Sequence, residues 1–215
     1  QIVLLVNELG KNEFSKKAAH WDKNHEYPWD NVHKLKECDL LGMTIPEKYG
    51  GMGRPLIDAV LAIETAAKYC GVTARIIVET NMGALGCVMA YGSEEQCKIV
   101  AHRILKEGDK PAIGMTEPEA GTALTDLKTT AVRDGDHYIL NGTKHWITGG
   151  GISVTNLIFS RFIEEGNDIG IGGVLVDLDT PGFIIGRVEN AMGLRGIPET
   201  ELIFKDCRVP IENVV

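Results

Sequence analysis

Lys110-Pro111-Ala112-Ile113-Gly114-Met115-Thr116 is the stretch where the chain changes period. Upstream of it, apolar residues recur every three or four positions, as an amphipathic helix requires. Ser93-Glu94-Glu95-Gln96 reads as a capping box opening one such helix. Val78, Met82, Leu85 and Met89 line another, and Gly83 and Gly86 within it predict close approach to a second backbone. From Pro55 onward, Leu56, Val60, Ile63 and Ala67 share a face and predict the side that packs. Earlier still, helices are predicted over 7–21 and 29–38, with Pro28 suited to a helix start. The connector Ile45-Pro46-Glu47-Lys48-Tyr49-Gly50-Gly51 interrupts them with a turn-rich run.

Downstream, short β-rich runs take over at 112–116, 129–133, 137–140, 144–148, 157–162, 173–178, 183–188 and 202–204. Asp134-Gly135 and Asn141-Gly142 are expected to be hairpin turns, because Gly and Asn tolerate positive φ. Many short strands with almost no helix between them predict an antiparallel barrel or sandwich rather than βαβ units. The expected fold class is therefore α+β and multidomain: an all-α domain over 1–110 followed by an antiparallel β-domain over 111–215.

Composition narrows the function classes. The 215 residues carry 44% hydrophobic and 24% charged side chains, enough for ordinary cores without staples. A net charge of −8 argues against an extended nucleic-acid footprint and against anionic membranes. No unbroken run reaches the ~18 to 20 apolar residues of a membrane span. Cys38, Cys70, Cys87, Cys97 and Cys207 form no C-x-x-C pair, which fits reduced thiols rather than a disulfide framework or zinc site. No metal-ligand spacing occurs among the His residues. Both ends read as cut rather than finished, since the first residue is Gln1 and the last stretch is apolar.

Two stretches carry candidate chemistry. Neither glycine-rich run, Gly149-Gly150-Gly151 or Gly170-Ile171-Gly172-Gly173, sits in a strand–helix nucleotide-binding frame, so a Rossmann domain is not expected. No G-x-S-x-G elbow is present either. Ile113-Gly114-Met115-Thr116-Glu117-Pro118-Glu119-Ala120-Gly121-Thr122 instead runs an apolar strand into a loop of hydroxyls, Pro118 and Gly121. Such a loop can bring backbone N–H groups close to a ligand, or it can be an ordinary strand exit. Asn141-Gly142-Thr143-Lys144-His145-Trp146-Ile147-Thr148 ends a strand with Trp146 and Thr148 two positions apart, hence on one face. An aromatic plane beside a hydroxyl suits a flat heteroaromatic cofactor, although a core Trp beside a turn reads the same way.

These two stretches resemble the T-E-P-x-A-G-S loop and N-G-x-K-x-W-I-T strand of the acyl-CoA dehydrogenase family. Leu41-Gly42-Met43, Ile45 to Gly51, Tyr91 to Gln96, Met192-Gly193-Leu194-Arg195-Gly196 and Val209 to Asn213 extend the resemblance along essentially the whole chain. It implies a helical domain, a β-domain and a C-terminal four-helix bundle, of which this chain matches the first two. By motif position, Ile113, Gly114, Met115, Thr116, Gly121, Thr122, Trp146, Ile147 and Thr148 are then expected to bind FAD. Thr116 is expected near the reactive nitrogen, Trp146 against the ring, and Thr122 near both cofactor and acyl-CoA. The implied reaction is α,β-dehydrogenation of an acyl-CoA to an enoyl-CoA, with hydride transfer to flavin N5. Implied partners are an electron-transfer flavoprotein and further copies of the chain in a dimer or tetramer. The family's carboxylate base usually comes from the bundle, so no catalytic base is assigned here. Glu117 is expected to serve the loop's architecture and Glu119 to face solvent.

Departures point toward a subfamily. Ala123 follows Thr122 where Asp is common, and Gly196-Ile197-Pro198-Glu199-Thr200-Glu201 replaces a stretch that often carries S-x-T-R. Both are similar to sulfinopropanoyl-CoA desulfinases, which keep the fold and FAD but release sulfite. Arg75 is a candidate to hold an acidic acyl terminus, against its ordinary reading as a packed or solvated helix residue. A same-fold desulfinase or reductase, and a non-catalytic binding subunit, are therefore the alternatives to a dehydrogenase. A bacterial cytoplasm is the expected compartment, ahead of a mitochondrial matrix.

Overall fold

The computed structural model describes every residue, Gln1–Val215. The chain divides into two compact units. One is helical and holds residues 1–90, 94–110 and 190–197; the other holds 91–93, 111–189 and 198–215 and contains the sheet.

The helical residues form α1 (Ile2–Leu9), α2 (Ala18–Asn24), α3 (Trp29–Glu37), α4 (Leu56–Ala67), α5 (Gly71–Asn81), α6 (Ala84–Tyr91) and α7 (Glu94–His102). The helix predicted over 7–21 is in fact α1, a π turn over Gly10–Phe14 and α2. Pro28 stands at the start of α3, as its fixed φ favours.

In α4 the predicted packing face is the wrong one. Leu56 and Val60 are 56% and 43% exposed, whereas Ala59, Ala62, Thr65 and Ala66 are buried. This helix is apolar nearly all round, so periodicity could not choose a side, and small residues won the close-packed face.

The single helix read through 78–89 is two helices. Met82 takes an extended conformation and Gly83 a φ of +56°, a left-handed turn that a side chain would resist. Neither Gly83 nor Gly86 has another atom within 4 Å of where a Cβ would stand, so close backbone packing is not their role. Residues 71–91 are together long and apolar enough to cross a membrane. They are nevertheless broken at Gly83, largely buried, and interrupted by Arg75 and Glu79.

Seven strands make one sheet: β1 (Ala112–Gly114), β2 (Thr130–Asp134), β3 (His137–Thr148), β4 (Thr155–Glu164), β5 (Asn167–Asp177), β6 (Phe183–Val188) and β7 (Glu199–Pro210). Their order is β1-β4-β2-β3-β7-β6, with β5 also pairing β4. The sheet is mixed rather than purely antiparallel as expected. Both β1 and β2 run parallel to β4, β1 beside residues 156–158 and β2 beside residues 161–163. The two are pieces of one path along β4, separated by the excursion over 115–129, and that collinearity makes both pairings parallel.

Asp134-Gly135 is a tight turn between β2 and β3, with Gly135 at φ +63°. Asn141-Gly142 is no turn at all. It lies inside the twelve-residue β3, opposite a bulge on β7, where the register shifts between Leu140 and Gly142 and Asp206 takes a φ of +48°. Gly142 lies at φ +150°, and a Cβ there would sit 2.4 Å from Thr129 Oγ1 and 2.7 Å from its Cα. The glycine makes room for the segment that carries Thr129. Leu140, Ile147, Ile158, Val174, Leu202 and Phe204 are among the side chains that fill the core of this unit.

Candidate functional site: a loop locked to a bulged strand

Beyond β1, the chain closes a tight turn in which Glu117 and Ala120 exchange backbone N–H···O bonds of 2.9 and 3.2 Å. Lys144, on β3, is fully buried and Glu117 is only 6% exposed. The Lys144 ammonium donates to Glu117 Oε1 at 2.7 Å and to the Met115 carbonyl at 3.1 Å. The Glu117 carboxylate also accepts the backbone N–H of Lys128 at 2.6 Å and of Thr129 at 3.0 Å. One ion pair thus ties together both ends of the excursion and the strand beside it. Burial pushes the Lys144 ammonium below its ordinary range, partly opposed by Glu117. Burial also works against the Glu117 carboxylate, but the donors from Lys128, Lys144 and Thr129 outweigh it and hold its pKa below the usual value. Glu119, by contrast, lies at the surface and pairs with Lys128.

The same lock brings Thr116 against β3, where the His145 N–H donates to the Thr116 carbonyl at 2.9 Å. The next residue, Trp146, has φ +59° and is 49% exposed. A second β3–β7 register shift, between Lys144 and Ile147, marks the bulge that contains it. Burial alternates through Tyr138, Leu140 and Lys144, then jumps to Ile147, so simple alternation does not explain why Trp146 and Thr148 flank a core residue. The bulge does. Ile147 gives its side chain to the core, leaving only its backbone for a ligand. Gly114 is likewise enclosed, since a Cβ there would meet Ile158 at 2.7 Å. Ile113, Met115 and Thr116 are half-buried; Gly121 and Thr122 are exposed, with open space beside Gly121.

Two partners of this strand were not singled out from sequence. The Thr148 hydroxyl donates to both oxygens of Glu199, at 2.8 and 3.0 Å, and the two residues are direct cross-strand partners on β3 and β7. His145 Nε2 contacts Glu189 Oε1 at 2.7 Å, and the Arg187 guanidinium binds the same oxygen. His145 and then Arg187 hold the Glu189 carboxyl below its ordinary pKa. Lys144 was legible in principle, because it falls on the buried parity of β3 and therefore demands a counter-charge. Glu199 was not, because its pairing depends on β7 register.

In the helical unit, Arg75 lies on α5, with its side chain 40% exposed and Nε 3.3 Å from Glu79. Arg195 makes a two-pronged contact with Asp22, at 2.7 and 3.2 Å, which anchors residues 190–197 to α2.

The residues present fit a flat cofactor: an outward-facing indole held in a strained bulge, a neighbouring loop fixed by a buried ion pair, and hydroxyls at Thr116, Thr122 and Thr148. Residues 1–107 match the acyl-CoA dehydrogenase N-terminal domain and residues 112–207 match the acyl-CoA dehydrogenase middle domain. The chain belongs to the acyl-CoA dehydrogenase family. Within it, the chain is 49% identical to a 3-sulfinopropanoyl-CoA desulfinase of Variovorax paradoxus, over 95% of this chain and 52% of the relative. It is 34% identical to a short-chain-specific acyl-CoA dehydrogenase of Clostridium acetobutylicum, over 98% of this chain and 56% of the relative. A glutaryl-CoA dehydrogenase from Mycobacterium smegmatis, solved in complex with FADH2, superposes with a TM-score of 0.91 at 26% identity, covering 99% of this chain and 54% of that one. The chain spans about half the length of the curated relatives it matches.

Proposed function

We propose that the protein carrying this chain is an FAD-dependent enzyme acting on an acyl-CoA whose acyl end is acidic, with release of sulfite from a sulfinyl thioester as the reaction. The observation that carries the flavin reading is the exposed, bulge-held Trp146 beside a loop pinned by Lys144 and Glu117. The sheet-containing residues 111–215 are then the flavin and acyl-CoA domain, and 1–110 the helical domain.

The chain's residues divide the work. Trp146 offers a ring face for stacking, while Met115, Thr116, Gly121 and Thr122 line the same ligand from the loop. The Lys144–Glu117 pair keeps that loop in place without touching the ligand. Arg75 offers a guanidinium whose fork suits a carboxylate or sulfinate. Bound FAD would supply an electron-accepting ring, and the protein's share is orientation and electrostatics. In the sulfite-releasing reading, the C–S bond breaks, water supplies one oxygen to the sulfur, and its proton replaces the sulfur on carbon. Similarity to the desulfinases, together with Ala123 and the Gly196–Glu201 stretch, supports this reading.

Dehydrogenation of a saturated acyl-CoA, with electrons passing to an electron-transfer flavoprotein, is the second reading, supported by the similarity to the short-chain dehydrogenase. Exposed Leu4, Leu56, Ile57 and Val60 on α1 and α4 support association into a dimer or tetramer. The bacterial relatives support a cytoplasmic setting.

The test is a visible spectrum of the protein purified without added flavin, followed by mixing with 3-sulfinopropanoyl-CoA and, separately, butyryl-CoA. A flavin band that butyryl-CoA leaves intact, with sulfite released from the sulfinyl thioester, is the expected result. Bleaching by butyryl-CoA without sulfite release shifts the assignment to a dehydrogenase, and a colourless protein overturns the flavin reading. Arg75→Lys is expected to raise KM for the acidic thioester at least tenfold while leaving the flavin spectrum unchanged. An unchanged KM removes Arg75 from the substrate site.

A further inference from the structure

Thr148 and Glu199 are direct partners across β3 and β7, and the Thr148 hydroxyl lies 2.8 and 3.0 Å from the two carboxylate oxygens. An ionised carboxylate has no proton to give, so the hydroxyl must donate. A threonine hydroxyl owns one proton and two lone pairs. With that proton committed to Glu199, the oxygen turns only acceptor capacity toward any other ligand.

The backbone around this pair limits its freedom to rearrange. Gly149 N–H donates to the Pro198 carbonyl at 2.9 Å, and the Thr200 hydroxyl donates to the Gly150 carbonyl at 2.8 Å. Strand pairing extends through Ile147 opposite Thr200, with both residues buried. The residues on either side of Thr148 and Glu199 are thus tied to each other. The carboxylate is presented to the hydroxyl by the sheet, without requiring a chance side-chain excursion.

We propose that Glu199 is a positioning residue that sets the hydrogen-bond polarity of Thr148. Toward a bound flavin, Thr148 accepts a hydrogen bond from a ring N–H and donates none. This rests on the reading that FAD binds beside Trp146 and Thr148. It goes beyond that reading by assigning the polarity of one contact and the residue that determines it. The consequence is selective: the hydroxyl can stabilise a ring nitrogen that carries a proton, and it cannot stabilise a bare ring nitrogen or carbonyl oxygen.

The test uses the flavin-loaded protein reconstituted with FAD labelled with nitrogen-15 in the ring and carbon-13 at its ring carbonyls. Magnetic resonance shifts of those atoms report hydrogen bonding directly, in both oxidised and reduced states. In the parent protein, Thr148→Val is expected to leave the bare nitrogens and carbonyls of the oxidised flavin unmoved and to shift an N–H resonance. Glu199→Ala is expected to shift a bare nitrogen or a carbonyl in the direction of a newly received hydrogen bond, and adding Thr148→Val should abolish that shift. Glu199→Gln, which keeps an accepting oxygen and the shape of the side chain, is expected to retain the parent pattern. Circular dichroism of each variant checks that the fold persists.

The proposal is overturned if Thr148→Val alone moves a bare nitrogen or carbonyl toward its unbonded position, because the hydroxyl then already donates to the ring. It is equally overturned if folded, flavin-bound Glu199→Ala reproduces the parent resonances. Failure of the underlying reading looks different: either no flavin binds, or bound-flavin resonances ignore Thr148 in every background and both oxidation states.

Discussion

Two Lys–Glu pairs close on the same loop, and they differ in nearly everything except chemistry. Lys144–Glu117 is sealed inside the sheet-containing unit, with side chains 0% and 5% exposed. Lys128–Glu119 sits on the outside, with side chains 73% and 66% exposed. The inner carboxylate also accepts two backbone N–H groups, so losing either partner strands a buried charge and leaves polar backbone without a partner. The outer pair exchanges its contact for water at almost no cost. Charge type therefore says little about the importance of a pair; the number of other groups that depend on it says more.

The largest expected effect breaks the inner pair. Lys144→Ala or Glu117→Ala is expected to cost about 3–5 kcal/mol of unfolding free energy, measured by urea denaturation, with loss of flavin retention in parallel. A cost indistinguishable from that of an exposed substitution would remove the special standing of this pair.

Acidification should separate the two pairs next. Glu117 has its folded-state pKa lowered, so its stabilising contribution is full above the unfolded value of about 4.3 and disappears as pH falls through the folded value. The melting temperature of the parent is therefore expected to fall more steeply below about pH 4.3 than that of Glu117→Gln. Parallel curves would contradict that sign. On the alkaline side, the lowered Lys144 pKa works in the same direction. Between its folded and unfolded values the unfolded chain holds more protons, so rising pH favours the native state through this group.

A smaller effect concerns the bulge that the inner pair supports. Trp146 holds a left-handed φ of +59°, which costs a non-glycine residue about 1–2 kcal/mol. Trp146→Gly is expected to relieve part of that strain. Thermal unfolding should show little loss or a slight gain in stability, while flavin affinity falls at least tenfold. A large destabilisation would mean that the indole is a packing residue rather than a ligand face. The smallest effect belongs to the outer pair: Lys128→Ala and Glu119→Ala are expected to leave the melting temperature unchanged within error.

The change from helical to strand periodicity at Lys110 was legible because it rests on local patterning, which each segment carries within itself. Asp134-Gly135 was legible for the same reason. Asn141-Gly142 has the same turn chemistry but lies within a strand, where Gly142 is needed to clear Thr129, thirteen positions away in sequence. The Leu56–Val60–Ile63–Ala67 stripe was misread because α4 has apolar residues on every side, and only its neighbours decide which side is closed.

In the site, the residue types of the loop and of β3 could be read directly, and with them the family. Lys144 announces itself by parity along the strand, as a charge on the core side. What the sequence determined by itself was therefore the order of helical and sheet regions, the two candidate stretches and their membership of a flavoprotein family. Tertiary structure alone decided that β1 and β2 share one edge of β4, that Trp146 stands in a bulge, and that Glu199 accepts the hydrogen bond of the Thr148 hydroxyl. The physical reason is range. Periodicity and turn chemistry are properties of neighbouring residues, whereas pairing register, parallel direction and the partner of a hydroxyl depend on groups brought together from fifty residues apart.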